Sequence, residues 1–114
     1  MRDKRLFISA ASLGTALVLG GCASSVLVVA PPVSPAMVTA AHGPSAESLN
    51  EGRRIFVGPC AACHAPDPIG KYSLSEWHTA IDEMAPRAKL SPDRRAALLA
   101  YVSAAKAVVQ APER

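Results

Sequence analysis

Two cysteines and a histidine lie within one short stretch, Cys60-Ala61-Ala62-Cys63-His64. Two thiols at this spacing fit a dithiol redox pair, half of a metal site or a point of covalent attachment. A redox pair of the thioredoxin kind is set among alternating strands and helices, and no such pattern surrounds these residues. A zinc site needs a second pair of Cys or His ligands, which the sequence does not offer at ligand spacing. The motif therefore favours covalent attachment.

The histidine that follows the second cysteine indicates what is attached. In Cys-x-x-Cys-His motifs each thiol adds to a vinyl group of haem c, and two intervening residues let the sulfurs span the two vinyl positions. The adjacent imidazole is then aimed at the iron as its proximal ligand. The motif predicts one haem c, bound covalently through Cys60 and Cys63 with His64 on the iron. A small domain with only five Phe, Trp or Tyr residues also gains a filled core from such a cofactor.

The first 21 residues are organised like a secretory signal, with a basic start, an apolar run over residues 6–19 and two glycines before Cys22. The Leu-Gly-Gly-Cys stretch at residues 19–22 resembles a bacterial lipoprotein box. That resemblance implies cleavage before Cys22, a diacylglyceryl group on its sulfur and acylation of the new amine. An uncleaved anchor is the alternative, because residues 6–30 are uncharged and roughly 20 apolar residues span a bilayer. Either arrangement exports and tethers the chain, and the lipoprotein is favoured.

Residues 22–44 are predicted to be a Pro/Ala-rich tether without charged side chains. Such a segment favours extended polyproline II geometry and acts as a semi-rigid spacer. At ~3.1 Å per residue it would reach roughly 70 Å. Met37 and His42 are interpreted as linker residues. The predicted location is the periplasmic side of a membrane. In the lipoprotein pattern, Ala23 after the cysteine slightly favours the outer membrane.

The net charge of +3 gives little support to nucleic-acid binding. Removing Arg2, Asp3, Lys4 and Arg5 with the signal leaves 9 of the 12 basic and 8 of the 9 acidic residues. The remaining chain has no basic stripe with interleaved aromatic residues, which a nucleic-acid surface would need.

From residue 45 onward the chain resembles the class I cytochrome c family. The predicted first helix, 47–57, carries Gly52 and Phe56, and the last helix carries Tyr101. In the family a glycine and an aromatic residue of the first helix meet an aromatic residue of the last, and Gly lets the helices cross closely. The resemblance implies an all-α cytochrome c fold over residues 45–110, with three main helices around a covalent haem.

The last helix is predicted to begin after Ser91, a suitable N-cap, with Pro92 at its first position. The following residues make an apolar stripe suited to packing on the first helix: Leu98, Tyr101, Val102 and Ala105.

The middle helix offers the second iron ligand. Ser73 and Glu76 form a capping-box pattern, and the helix is predicted to run to about Ala85, before Pro86. At about 100° per residue, Met84 shares a face with Trp77 and Ile81, whereas His78 lies roughly 120° away from Met84.

Because the apolar face of this helix must look at the haem, Met84 is the predicted sixth ligand and His78 the alternative. A similar Trp-x-x-x-Ile-x-x-Met pattern occurs in a subgroup of short bacterial haem c domains, in which the methionine ligates iron. A purely structural role for Met84 in the core is the competing interpretation.

Four further residues are assigned to the haem pocket from their position in the sequence. Tyr72 and Trp77 are predicted to bind the cofactor by donating to a propionate, although Trp77 also suits the pocket wall. Arg87 and Lys89 are candidates for pairing with propionates or are plain surface charges. The loop over residues 65–72 is shorter than in mitochondrial-type members. The resemblance therefore does not identify the carbonyl that accepts a hydrogen bond from His64.

These residues predict an electron carrier without catalytic residues. Iron held by His64 and Met84 would cycle between Fe(III) and Fe(II). Its partners would be redox proteins met through transient contacts, and the chain would be a monomer or a subunit of a redox complex. The alternatives are a haem subunit, a gas-binding or sensor protein with an open or His-ligated sixth site, and a lipoprotein whose haem serves only folding.

Overall fold

The computed structural model describes residues 29–110, which form four α-helices and one 3-10 turn, with no β-strand in that range. The all-α prediction is confirmed for this part of the chain. The predicted signal and Cys22 lie outside the described residues. No helix within 29–110 is long and apolar enough to cross a membrane. The helices are α1 (Pro35–Ala41), α2 (Ala46–Val57), α3 (Leu74–Met84) and α4 (Pro92–Val109), and the 3-10 turn is Pro59–Ala61.

Each helix begins after a serine whose side chain accepts a hydrogen bond from the first turn. Ser73 forms the complete predicted capping box: its hydroxyl accepts from the Glu76 N–H at 3.3 Å, and the Glu76 carboxylate accepts from the Ser73 N–H at 2.7 Å. Ser91 caps α4 and Pro92 occupies its first turn, which confirms the predicted start of that helix. The four capping residues are Ser34, Ser45, Ser73 and Ser91.

Helices α2 and α4 cross closely at Gly52. A Cβ atom on Gly52 would lie 2.6 Å from Cβ of Tyr101 and 2.8 Å from the carbonyl carbon of Ala97, so no side chain fits between the helices. Beside this crossing the rings of Phe56 and Tyr101 have centroids 6.0 Å apart. The predicted contact between the two helices is confirmed. The apolar stripe predicted on α4 is also buried, with at most 1% exposure at Leu98, Tyr101, Val102 and Ala105.

Helix α3 packs against the other helices through its apolar face. Trp77 and Ile81 are buried, and the Trp77 ring meets Phe56 edge-on with centroids 5.7 Å apart. On the outer side, Arg95 of α4 pairs with Asp82 of α3. This arrangement holds one wall of Trp77 and Phe56 beside the loop that carries the cysteine motif.

Residues 29–41, which we call the N-terminal strap, pack on the other helices and include α1. Met37 is 1% exposed and Ala30 is 2% exposed, and both belong to the main core. The prediction of extended geometry is therefore wrong for Pro35–Ala41, and the interpretation of Met37 as a linker residue is wrong as well. His42 is exposed at the end of α1.

Helix α1 forms because of the residues in its first turn and because of its apolar side chains. Pro35 stands where a helix leaves its N–H groups without partners, so its missing N–H costs nothing there. The Ser34 hydroxyl accepts from the N–H of Met37 at 3.3 Å and caps the turn. Apolar contact between α1 and α4 then outweighs the extended preference of the proline-rich segment.

Candidate cofactor site

The cysteine motif lies in the short connection between α2 and α3. The 3-10 turn Pro59–Ala61 holds Cys60 half-buried against the core, whereas Cys63 is exposed. Both thiols are free. Burial raises the pKa of the Cys60 thiol, and nearby Arg94 opposes this only in part.

Two adjoining hollows surround the motif, with volumes of about 390 Å³ and 350 Å³. Cys60, His64 and Met84 line both of them. Each volume lies within the range of cofactor sites, ~300–1,000 Å³. The other residues of the larger hollow are Phe56, Pro66, Asp67, Tyr72, Glu76, Trp77 and Ala80, and those of the smaller are Pro59, Ala62, Cys63, Arg87, Ala88 and Lys89.

His64 has an exposed imidazole with one nitrogen engaged. Its Nδ1 lies 2.9 Å from the carbonyl oxygen of Ala65, which can only accept, so Nδ1 carries the proton in this contact. The neutral ring then presents the lone pair of Nε2, the form in which histidine binds a metal. The sequence left open which carbonyl accepts from His64, and in this structure it is that of the next residue.

Met84 and His78 occupy different sides of α3. Met84, the last residue of the helix, lines both hollows together with His64. His78 is exposed and lines neither. The expected orientation of the two side chains is confirmed. The bond from Met84 to iron stays a prediction.

Tyr72 and Trp77 both line the larger hollow, with ring centroids 5.2 Å apart in an edge-on contact. The Trp77 indole N–H donates to the carbonyl of Ile69 at 3.0 Å, and the Tyr72 hydroxyl donates to the Asp67 carboxylate at 3.0 Å. Each donor predicted to meet a propionate therefore has a protein acceptor here. Trp77 fits the second of its two interpretations, a residue of the pocket wall.

The acidic side of the larger hollow was not predicted. Asp67 accepts from Lys71 Nζ at 2.7 Å as well as from Tyr72, and these hydrogen bonds lower the pKa of its carboxyl. Glu76 lines the same hollow, and its hydrogen bonds to Ser73 lower the pKa of its carboxyl too. The Asp67–Lys71 spacing of four residues was the signal available in the sequence. By contrast Arg87 and Lys89 line the smaller hollow, so the two hollows differ in charge.

Within residues 29–110, no group of three or more His, Cys, Asp or Glu side chains is arranged to hold a metal ion by itself. What the site can do has to be understood from its own residues. Comparisons with models of known protein families, with curated proteins and with solved structures found no match for this chain.

Proposed function

We propose that this chain is a mono-haem c-type cytochrome, a single-electron carrier held at the periplasmic side of a membrane by a lipid on Cys22. The observation that carries the proposal is the convergence of Cys60, His64 and Met84 on both hollows. A thiol for attachment, an imidazole and a thioether for ligation meet there beside apolar walls. This set fits haem c, because iron in cytochromes c takes His and Met as its axial ligands.

Three further features support the fit. Cys63 lines the smaller hollow and supplies the second thiol at the spacing that two vinyl groups require. The Nδ1–H contact of His64 to a carbonyl keeps Nε2 available as the ligand. Phe56 and Trp77 give the larger hollow an aromatic wall against which a porphyrin face packs.

The cytochrome c fold is part of the proposal. Helices α2 and α4 cross at Gly52 with Phe56 against Tyr101, which is the contact that the class I family uses. Helix α3 presents Met84 to the hollows. The helix crossing and the position of Met84 support the proposed cytochrome c architecture of residues 45–110.

The bound haem would supply reversible cycling between Fe(III) and Fe(II). His64 and Met84 would ligate the metal in either state, so little of the site would rearrange. A thioether ligand favours Fe(II) and raises the reduction potential. Contact at the exposed side of the pocket would suffice for electron transfer, and partners would meet it through small, transient interfaces.

Absorption spectra of the exported protein test the proposal. Wild type is compared with Met84→Ala and His78→Ala, and Met37→Leu is the control because it changes the other methionine of residues 29–110. We expect a covalent haem spectrum with the weak long-wavelength band of a methionine–Fe(III) bond, lost only in Met84→Ala.

Three outcomes contradict parts of the proposal or all of it. A low-spin wild-type spectrum that lacks this band and changes only in His78→Ala would reverse the ligand assignment. A high-spin spectrum of the wild type that shifts with carbon monoxide would indicate an open sixth site and favour a gas-binding or sensor protein. A colourless exported protein, with no haem mass added, would refute the haem assignment itself.

A further inference from the structure

The N-terminal strap is fastened to the middle of the two long helices. The Arg53 guanidinium of α2 donates through Nε to the carbonyls of Ala30 and Pro31, at 3.1 and 3.2 Å. The Tyr101 hydroxyl of α4 donates to the carbonyl of Pro31 at 2.8 Å. Met37 is also buried, further along the strap, so the strap is held at two points. The strap is therefore part of the packed domain from Ala30 onward.

This attachment shortens the connection between the domain and the proposed lipid. Ala30 is the eighth residue after Cys22. At ~3.1 Å per residue, eight residues can span no more than about 25 Å, compared with roughly 70 Å for a spacer that extends to residue 44. Since the effective concentration of a tethered group falls as its linker lengthens, the shorter connection confines the domain to a layer next to the bilayer.

The point of attachment also lies close to the cofactor site. Pro31 contacts Tyr101, the Tyr101 ring lies 6.0 Å from that of Phe56, and Phe56 lines the larger hollow. Only two side chains thus separate the strap from the pocket. Moreover, no Asp, Glu, Lys or Arg occurs from residue 6 to residue 46, so the strap carries no formal charge that lipid headgroups would repel.

We propose that the strap holds the haem domain in a layer next to the membrane surface, with its point of attachment at Ala30 within about 25 Å of the bilayer. This rests on the proposed haem and lipid attachment.

Inserts at two positions in the chain distinguish a fastened strap from a free tether. A Gly/Ser insert of about ten residues adds roughly 17 Å of mean span. Placed between residues 28 and 29, it lengthens the connection to the membrane. Placed between residues 44 and 45, it only enlarges the loop between α1 and α2, because the strap remains fastened. The lipidated, haem-loaded protein is reconstituted in vesicles of phosphatidylethanolamine and phosphatidylglycerol with a headgroup fluorophore, and quenching of that fluorophore by the haem is measured.

We expect the insert at 28/29 to weaken the quenching at least ~twofold, since it adds roughly 17 Å to a reach of about 25 Å. The insert at 44/45 should leave it unchanged. Met37→Asp, which places a charge in the core and releases the strap, should make the 44/45 insert weaken the quenching as well. Equal weakening by both inserts in the otherwise unchanged protein would overturn the strap proposal.

Mass spectrometry of the same samples distinguishes the two levels of failure. If the haem or acyl mass is missing, the proposed function fails and the membrane arrangement fails with it. If both masses are present and the two inserts act alike, the proposed function stands and the strap proposal alone is refuted.

Discussion

A single methyl group added at Gly52 tests how much the close crossing of α2 and α4 contributes to stability. In Gly52→Ala the new carbon would lie 2.6 Å from Cβ of Tyr101 and 2.8 Å from the carbonyl carbon of Ala97, with the Ala97 oxygen closer still. Carbon atoms pack at ~3.5–4.0 Å, so the helices would have to separate by about 1 Å. Rotation of a side chain does not relieve the overlap, because every atom involved is backbone or Cβ.

The expected cost follows from two opposing effects. Overpacking of a core costs ~1–3 kcal/mol, and the backbone contact places this case near the upper end. Alanine is favoured over glycine inside a helix by ~1 kcal/mol, which offsets part of the cost. The free energy of unfolding should therefore fall by about 2 kcal/mol. For a domain of this size each kcal/mol lowers the Tm by ~4–8 °C, so a decrease of roughly 8–16 °C is expected.

Thermal unfolding followed by circular dichroism of the haem-loaded protein measures the change. Gly70→Ala is the control, since a Cβ there would meet only Cγ1 of Val109 at an ordinary 3.9 Å. That variant should stay within ~0.5 kcal/mol of wild type. A Gly52→Ala protein that melts at or above the wild-type temperature would refute the reasoning, because it would mean that the helices separate without cost.

Substitutions at two other positions test the strap and its attachment. Met37→Ala should lower the free energy of unfolding by ~2–5 kcal/mol, because the side chain is 1% exposed, whereas Met37→Leu should cost less than ~1.5 kcal/mol. Urea unfolding measures both, and a Met37→Ala protein as stable as wild type would contradict core packing of the strap. Burial raises the pKa of Tyr101 to about 12 from the model-peptide value of 10.0, so the folded state keeps this proton longer than the unfolded chain. The stability due to Tyr101 is complete below pH ~10 and is lost as the pH rises towards about 12. Tyr101→Phe should remove that part of the pH dependence, and an unchanged slope between these pH values would count against it.

The three long helices could be predicted because their signals are local. Ser73 with Glu76 and Ser91 with Pro92 mark helix starts within a few residues, and the apolar period then identifies the buried faces. The same period distinguished Met84 from His78, which the structure places on different sides of α3. Local chemistry was sufficient for these elements.

The strap could not be predicted because its stabilising contacts are distant in sequence. Pro31 meets Tyr101 across 70 residues and Arg53 across 22. Proline next to small residues predicts extended chain from local preference alone, and α1 has only seven residues in which to show a period. The Ala65 carbonyl beside His64 depends in the same way on the path of a loop, for which a helical or strand period gives no guide.

The apolar walls of the hollows also bear on when the chain folds. Phe56, Trp77 and Ala80 line the larger hollow, and the cores of small domains are only marginally stable. A ligand that binds only the folded state shifts the equilibrium towards that state in proportion to its binding free energy, and a covalent one cannot leave. For a chain exported as proposed, the prosthetic group would add its stabilisation only after passage through the membrane, at the step in which it is attached.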